Sequence, residues 1–439
     1  MERKIKVDFL APPFEGHLNP LIEIAEKLKH KYDIRFITGK NKNNILMESG
    51  FRVDNILTDE NDVFEQISNT EKQVKNDFFE LKKQFSENLR LIPKVAGELK
   101  ELVEKNETDI IVADFVVISS VFCSQETKIP FITTMPTSFA LENKDGTPAY
   151  FGGLKPNDSL YGKLRDFFAR KQIRLFKKTI YYLFYHKIKK MNFDLYNEKG
   201  EENLYSPYSI LGLGMKEFDF KRSWPVQYKF AGACCETPLY YAQNSDINKT
   251  AEFFQKKSNY KRKVLITLGT HLKWAKKILE ENIEKIACNF EDTLFVITMG
   301  DENNERSTDP VKKKSNVAVI DYLSYTKYLD WFDYVIHHGG AGITYNCIKY
   351  KKPSLVIPHD YDQFDFAARI EYFKTGITAK NISNTEDVVK KLKILFEREK
   401  WEELTKLSED FRRYSPHKVL DSEIERLLSK QKGGNIWKK

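Results

Sequence analysis

The stretch from Tyr334 to Gln363 constrains this chain more than any other. Tyr334, Val335 and Ile336 form a short apolar run, and His337-His338-Gly339-Gly340-Ala341-Gly342 follows at once. An apolar run that breaks into glycines and then into a helical pattern is the βα unit of a parallel sheet. The glycines let the backbone turn tightly and come close to a ligand. The spacing predicts a helix from Thr344 to Tyr350, whose free N–H groups face the glycine turn and suit a phosphate or diphosphate. Ser354 to Ile357 reads as the next buried strand, with Asp362 and Gln363 just past its C-terminal end. In an open α/β sheet that edge is where ligands bind.

The same rhythm runs through the rest of the chain. Ile5–Leu10, Asp33–Ile37, Asp109–Ala113 and Phe131–Thr134 read as strands in the first half, separated by helical patterns at Leu21–Leu28 and at about residues 71–104. Val264–Leu268, Thr293–Thr298, Val317–Ile320, Tyr334–Ile336 and Ser354–Ile357 form a second series. Two doubly wound α/β domains with a cleft between them follow. The polar, turn-rich stretch between the series marks the linker. The expected division is an N-terminal domain over 1–238, a linker over 239–262 and a C-terminal domain over 263–415. A last helical segment over 416–439 is open to packing back on the N-terminal domain. The 439 residues suffice for two domains.

Bulk properties exclude several classes. The apolar fraction of 41% and the mixed charge fit a globular protein, and no apolar run is long enough to span a bilayer. The start lacks the apolar region of a signal peptide. The five cysteines are scattered, odd in number and without C-x-x-C spacing, so reduced thiols, a cytoplasmic location and no metal site are expected. The net charge of +8 suits anionic partners. No zinc-finger, RNP or homeodomain pattern appears, so nucleic acid is not an expected partner.

Phe14-Glu15-Gly16-His17-Leu18-Asn19-Pro20 follows the first strand. Gly16 would allow a tight turn, and Pro20 would suit the first turn of a helix. His17 is thereby presented at the C-terminal edge of the sheet, where an imidazole can take a proton near neutral pH. Asp114 ends another strand of the same sheet and is the natural partner to fix the ring's tautomer. The competing structural role for Asp114 is a helix N-cap over Val116 to Thr127. Gly269-Thr270 ends the strand Val264–Leu268 and can add a phosphate contact. His337, a strand neighbour of His338, points to the opposite face and is no ligand. The two do not form a metal site.

These motifs resemble a known family. His338-Gly339-Gly340-x-Gly342-x-Thr344, then Pro358 and Asp362-Gln363, resembles the nucleotide-sugar signature of family 1 glycosyltransferases, the UDP- or TDP-sugar-dependent GT-B enzymes that include the macrolide glycosyltransferases. Gly16-His17-x-x-Pro20 is similar to their catalytic motif, and Thr267-Leu268-Gly269-Thr270 to their first C-domain strand and turn. The resemblance spans the chain in the expected order. It implies a GT-B fold of two Rossmann-like domains facing a cleft. It implies His17 as general base oriented by Asp114. Gly16, Gly269, Thr270, His338, Gly339, Gly340, Gly342, Ile343 (through its N–H) and Thr344 would stand around the donor. Tyr322 would stack on the base, with Leu323 offering its backbone, and Asp362 and Gln363 would bond the sugar hydroxyls. Asn346 stands where a Glu often holds the ribose, Ile343 where a small hydroxyl residue is common, and Ser324-Tyr325 where Pro-Gln usually follows the aromatic.

The expected activity is inverting, metal-independent transfer from a UDP- or TDP-sugar, glucose-like favoured, to a hydroxyl of a small apolar or aromatic acceptor. The nucleotide sugar is a co-substrate, and no cofactor is expected. The alternatives are a sugar-nucleotide epimerase, a membrane-associated transferase to a lipid acceptor and a non-catalytic sugar-nucleotide-binding partner protein. Tyr161 to Met191 interleaves aromatics with Lys and Arg. The plainest reading is an amphipathic helical pair with aromatic core faces. The others are an apolar acceptor pocket and contact with an anionic membrane surface.

Overall fold

The computed structural model describes residues 3–60, 63–64, 78–183, 185, 192–236, 238, 259–269, 273–299, 316–320, 322–360 and 362–432. Residues 239–258 of the expected linker, Thr270, and residues 184 and 186–191 of the aromatic stretch lie outside them. The N-terminal lobe is built on β1 (Lys6–Leu10), β2 (Asp33–Thr38), β3 (Arg52–Asn55), β4 (Ile110–Asp114), β5 (Phe131–Met135), β6 (Ile210–Gly212) and β7 (Tyr228–Phe230). The C-terminal lobe is built on β8 (Arg262–Thr267), β9 (Thr293–Thr298), β10 (Val317–Ile320), β11 (Tyr334–His337), β12 (Ser354–Val356) and β13 (Gly376–Thr378). The helices are α1 (Glu15–Leu28), α2 (Asn43–Glu48), α3 (Phe78–Asn106), α4 (Ser119–Thr127), α5 (Leu160–Leu183), α6 (Lys273–Ala287), α7 (Tyr325–Tyr328), α8 (Ala341–Lys349), α9 (Gln363–Tyr372), α10 (Thr385–Glu397), α11 (Glu402–Phe411) and α12 (Pro416–Lys432).

The strand orders are 3-2-1-4-5-6-7 and 10-9-8-11-12-13, and every pairing is parallel. Each sheet therefore reverses direction once, between β1 and β4 and between β8 and β11. Alternate strand residues enter opposite cores. Val7, Phe9, Phe36 and Val112 pack with α1 on one face, and Leu10, Ile37, Ile111 and Ala113 pack with α3 on the other. In the second sheet Val264, Ile266 and Ile336 face one layer, and Leu265, Val296 and Val335 the other. Burial on both faces is why these strands read as continuous apolar runs. Asp8, in the middle of β1, is buried and held by the Arg35 guanidinium at 2.9 and 2.5 Å, so removing Arg35 would leave a buried carboxylate without its main counter-charge, at about 3–5 kcal/mol.

Helix α12 lies on α1, and its Leu420, Ile424 and Leu427 join the N-terminal core at helical spacing. A further apolar cluster joins the lobes, with Phe139, Met215 and Phe218 against Tyr345, Val356 and Phe366. Arg369 of α9 crosses it to pair with Asp219 at 2.6 Å, its guanidinium lying over the Phe139 and Phe220 rings. The lobes are thus locked by a core of their own, and α9 carries the lock.

The described part of the aromatic stretch lacks the expected aromatic core face, and whether a second helix follows falls on residues outside the described ones. Its described part is one helix, α5, whose buried residues are only Gly162, Asp166 and Ala169.

Candidate active site at two sheet switch points

Four of the chemistry-bearing residues leave the sheets at the two switch points. His17 follows β1 and Asp114 ends β4; Gly269 follows β8 and His338 follows β11. At such a point the connecting helices depart to opposite faces and leave a crevice at the strand ends.

In the N-terminal lobe, His17 Nδ1 lies 2.9 Å from Asp114 Oδ1, with the Asp114 side chain fully buried and His17 about a quarter exposed at 27%. Asp114 does not cap a helix: α4 begins only at Ser119, and Asp114 Oδ1 instead accepts the Val116 N–H at 3.1 Å. The Phe115 ring stacks on the imidazole at 5.7 Å and Phe14 meets it edge-on. Burial pulls the imidazole's pKa down, but the charge and hydrogen bond of Asp114, with the charge of Asp362, outweigh it and leave it raised. The ring is held at Nδ1 by Asp114 and polarised toward its protonated form, which leaves Nε2 outside that pair.

The expected turn at Gly16 is corrected. Helix α1 starts at Glu15, so Gly16 and His17 are its second and third residues and Pro20 lies inside it. Gly16 has no positive φ, and a Cβ there would meet nothing within 4 Å. The glycine leaves space above the helix start; it does not make a turn.

In the C-terminal lobe, α8 starts at Ala341, three residues before the predicted start. The Thr344 N–H bonds the Gly340 carbonyl at 3.1 Å and is committed to the helix, which corrects the expectation that it faces a ligand. The outward N–H groups are those of Ala341, Gly342 and Ile343. No acidic side chain and no side-chain cap occupies this turn. Gly342 faces open space within 4 Å, whereas a Cβ on Gly340 would sit 2.5 Å from His338 Nε2 and one on Gly269 3.0 Å from the same ring. The two glycines are the groove in which the His338 ring lies, and Gly269 also has a φ of +72°. His337 is buried, accepts the Gly339 N–H at 3.0 Å, and is pushed by burial and by His338 to a pKa of about 3. It is packed inside, a neutral strut for the turn.

Of the other expected residues, Ile343 and Leu323 are buried in the C-terminal core. Asn346 donates to the Gly342 carbonyl at 2.9 Å, while its Oδ1 and the Thr344 hydroxyl are buried with no partner among the described residues. Tyr322 is half-buried against the N-terminal core. Asp362 and Gln363 open α9. Gln363 Oε1 accepts the His359 and Asp360 N–H groups at 2.8 and 3.1 Å, which aims its amide nitrogen away from its own loop. Gly339, at φ +93°, would press a Cβ against the Gln363 carbonyl at 2.9 Å, so the glycine turn and the start of α9 are in contact.

Asp362 closes the circuit between lobes. Its Oδ2 accepts the Thr137 hydroxyl at 2.7 Å across the cleft. Burial raises its pKa against that hydrogen bond and the opposing charge of His17. The imidazole, Asp362, Gly339 and His338 are therefore neighbours at the junction of the lobes. Thr137 and Phe115 are residues the motif reading overlooked. Both lie just past the C-terminal ends of strands, β5 and β4, and the strand-end rule alone would have marked them. Among the described residues no cluster of three or more His, Cys, Asp or Glu could hold a metal ion, and no helix is long and apolar enough to cross a membrane.

A crystal structure of the glycotransferase of kitacinnamycin superimposes on 97% of this chain and 100% of its own, at TM-score 0.72 and 16% identity. The fold is GT-B. Residues 289–425 match the family model described as Erythromycin biosynthesis protein CIII-like, C-terminal domain. A second GT-B structure, glycosyltransferase VinC in complex with DTDP, covers 97% of this chain and 100% of its own at TM-score 0.63 and 14% identity. Zeaxanthin glucosyltransferase from Pantoea ananas is 23% identical over 192 residues, 44% of this chain and 42% of that protein. The match thus spans less than half of that relative's length. These GT-B neighbours and the curated relative are glycosyltransferases, in line with the family the motifs resemble.

Proposed function

We propose that this chain transfers a sugar, with inversion, from a nucleoside-diphosphate sugar to a hydroxyl of a small apolar acceptor. One observation carries the reading. A carboxylate-paired imidazole at one switch point faces, across Asp362, an uncapped helix start at the other. His17 Nε2 takes the acceptor's proton as its oxygen forms the bond to the anomeric carbon. The bond from that carbon to the diphosphate oxygen breaks, and the diphosphate leaves with the electron pair. The N–H groups of Ala341, Gly342 and Ile343, the α8 dipole and His338 receive that charge, which is the stabilisation a cation would otherwise supply. Asp362 and the Gln363 amide bond the sugar hydroxyls, and Tyr322 takes the base.

The bound DTDP of VinC supports a thymidine diphosphate, and the zeaxanthin enzyme supports glucose as the sugar. The test is a thermal-shift series with UDP, TDP and their glucose derivatives, followed by product analysis with and without acceptor alcohols. A ligand that binds only the folded chain raises its melting point by mass action. The reading requires a shift with a diphosphate and acceptor-dependent release of it. Clean epimerisation of the donor without acceptor would replace it with an isomerase.

A further inference from the structure

Helix α5 turns its apolar side the wrong way for a core helix. The residues it buries, Gly162, Asp166 and Ala169, are small or polar. Asp166 accepts the Thr147 hydroxyl at 2.8 Å, and Gly162 packs so closely that a Cβ would lie 2.2 Å from the Asn157 carbonyl. On the opposite side Leu160, Leu164, Phe167, Phe168, Leu175 and Tyr182 are 46% to 76% exposed. They recur at helical spacing, so they form one stripe along a helix of 24 residues. An ordered monomer rarely shows water a continuous apolar surface of this kind without a use for it.

The charge on this helix names the occupant. Lys171 and Lys178 fall within the stripe, Lys163 lies at its margin, and all three are exposed. The remaining basic side chains are turned to the protein: Arg165 binds Asp166 and the Lys155 carbonyl, Arg174 reaches Glu142 and the Gly200 carbonyl, Lys177 binds Glu202, and Arg170 bonds the Gly146 carbonyl. The helix has a single carboxylate, Asp166, and it is buried on the far side. The outward face is therefore apolar and positive, with no negative group. Two such faces brought together as a symmetric dimer would oppose lysine to lysine. A bilayer with anionic headgroups matches both properties, since the aromatic and leucine side chains enter the acyl boundary while the lysine stems reach back to the phosphates. A recess of about 450 Å³ at the same helix, lined by Phe151, Leu154, Leu164 and Phe168, extends the apolar surface.

We propose that α5 is a docking surface for an anionic phospholipid membrane, on which the chain lies peripherally. This stands apart from the chemistry of the cleft. The test is cosedimentation of the full chain with vesicles of phosphatidylcholine alone or mixed with phosphatidylglycerol, at low and high salt. Binding is expected with the anionic vesicles at low salt and is weakened by salt. The triple variant Lys163→Glu, Lys171→Glu, Lys178→Glu should bind about a hundredfold more weakly, at about fivefold per lysine. The variant Leu164→Gln, Phe168→Gln, Leu175→Gln should not bind at all. All six substitutions are exposed and outside the cleft, so melting point and diphosphate affinity should be those of the parent. No binding of the parent to anionic vesicles, or equal binding of the lysine variant, overturns the proposal. So does a dimer in light scattering that the Leu164, Phe168, Leu175 variant abolishes, which would give the face to a second copy.

Discussion

The two switch points are built alike and finished oppositely. Each follows a strand with a helix whose second residue is a glycine facing open space, Gly16 in α1 and Gly342 in α8. Each receives a second residue from the strand across the reversal, Asp114 from β4 or Gly269 from β8. The finish differs at the helix start. In α1 the first turn carries Glu15, which is paired with Lys42, and the Phe14 carbonyl accepts the N–H groups of both His17 and Leu18. The positive end of that helix is already answered. In α8 the first turn has no acid, no cap and three outward N–H groups. One architecture thus yields a site for moving a proton and a site for holding an anion, and the choice is made by two or three side chains at each helix start.

The comparison breaks most visibly at His17. His17→Ala should lower kcat by about a hundredfold to ten-thousandfold, the range for a positioned general base, while UDP or TDP binding by calorimetry stays as in the parent. Loss of diphosphate binding with turnover intact would reverse the roles of the lobes. The matching lesion on the other side is Gly340→Ala, whose Cβ must displace the His338 ring. Diphosphate affinity should fall about tenfold, the loss of one charge-supporting hydrogen bond of about 1.5 kcal/mol, with the pH profile of turnover unmoved.

The pair at the first switch point is sharpened by pH. Asp114 and Asp362 together hold the imidazole above its ordinary pKa of about 6.5. A base must be neutral to act, so activity should be lost as pH falls through a midpoint above that value. The stability contributed by the protonated pair runs the other way: it is full below the unfolded pKa and fades as pH rises through the folded one. Asp114→Asn removes a negative charge, so the acid midpoint of kcat/KM should move to lower pH. A midpoint that stays put would mean that Asp114 only positions the ring.

Sequence periodicity made the central strands plain, because residues such as those of Thr293–Thr298 are buried on both faces and leave an unbroken apolar run. It did not reveal β3, β7 and β13, which lie at sheet edges, nor the three-residue β6. Arg52-Val53-Asp54-Asn55 pairs on one side only, so its composition is that of a loop. The site residues were legible because glycines and histidines at strand ends are few. Their roles were less so. Gly16 suggests a turn by its identity, yet the helix runs through it. Thr137 carries no motif at all, and its hydroxyl matters only because the second lobe brings Asp362 to it. Contacts between lobes are set by tertiary packing, and no local pattern encodes them. The stripe on α5 is the converse case. Its spacing predicts an amphipathic helix, but which side faces the protein is decided by the small residues Gly162 and Ala169, not by hydrophobicity.

The smallest effects separate the two glycines at position two. Alanine at Gly16 or Gly342 meets no atom within 4 Å, so neither substitution strains the fold. Each should stabilise its helix by about 0.5–1 kcal/mol through the lower entropy of the unfolded chain, seen as a small rise in melting temperature. Their effects on ligands should diverge. Gly342→Ala puts a methyl group beside the three outward N–H groups, and diphosphate affinity should drop while the protein gains stability. Gly16→Ala puts one beside His17, away from the diphosphate, and should raise the acceptor KM with diphosphate affinity retained. If both variants weakened the diphosphate equally, the space above the two helix starts would belong to a single ligand group, and the division of labour between the lobes would fail.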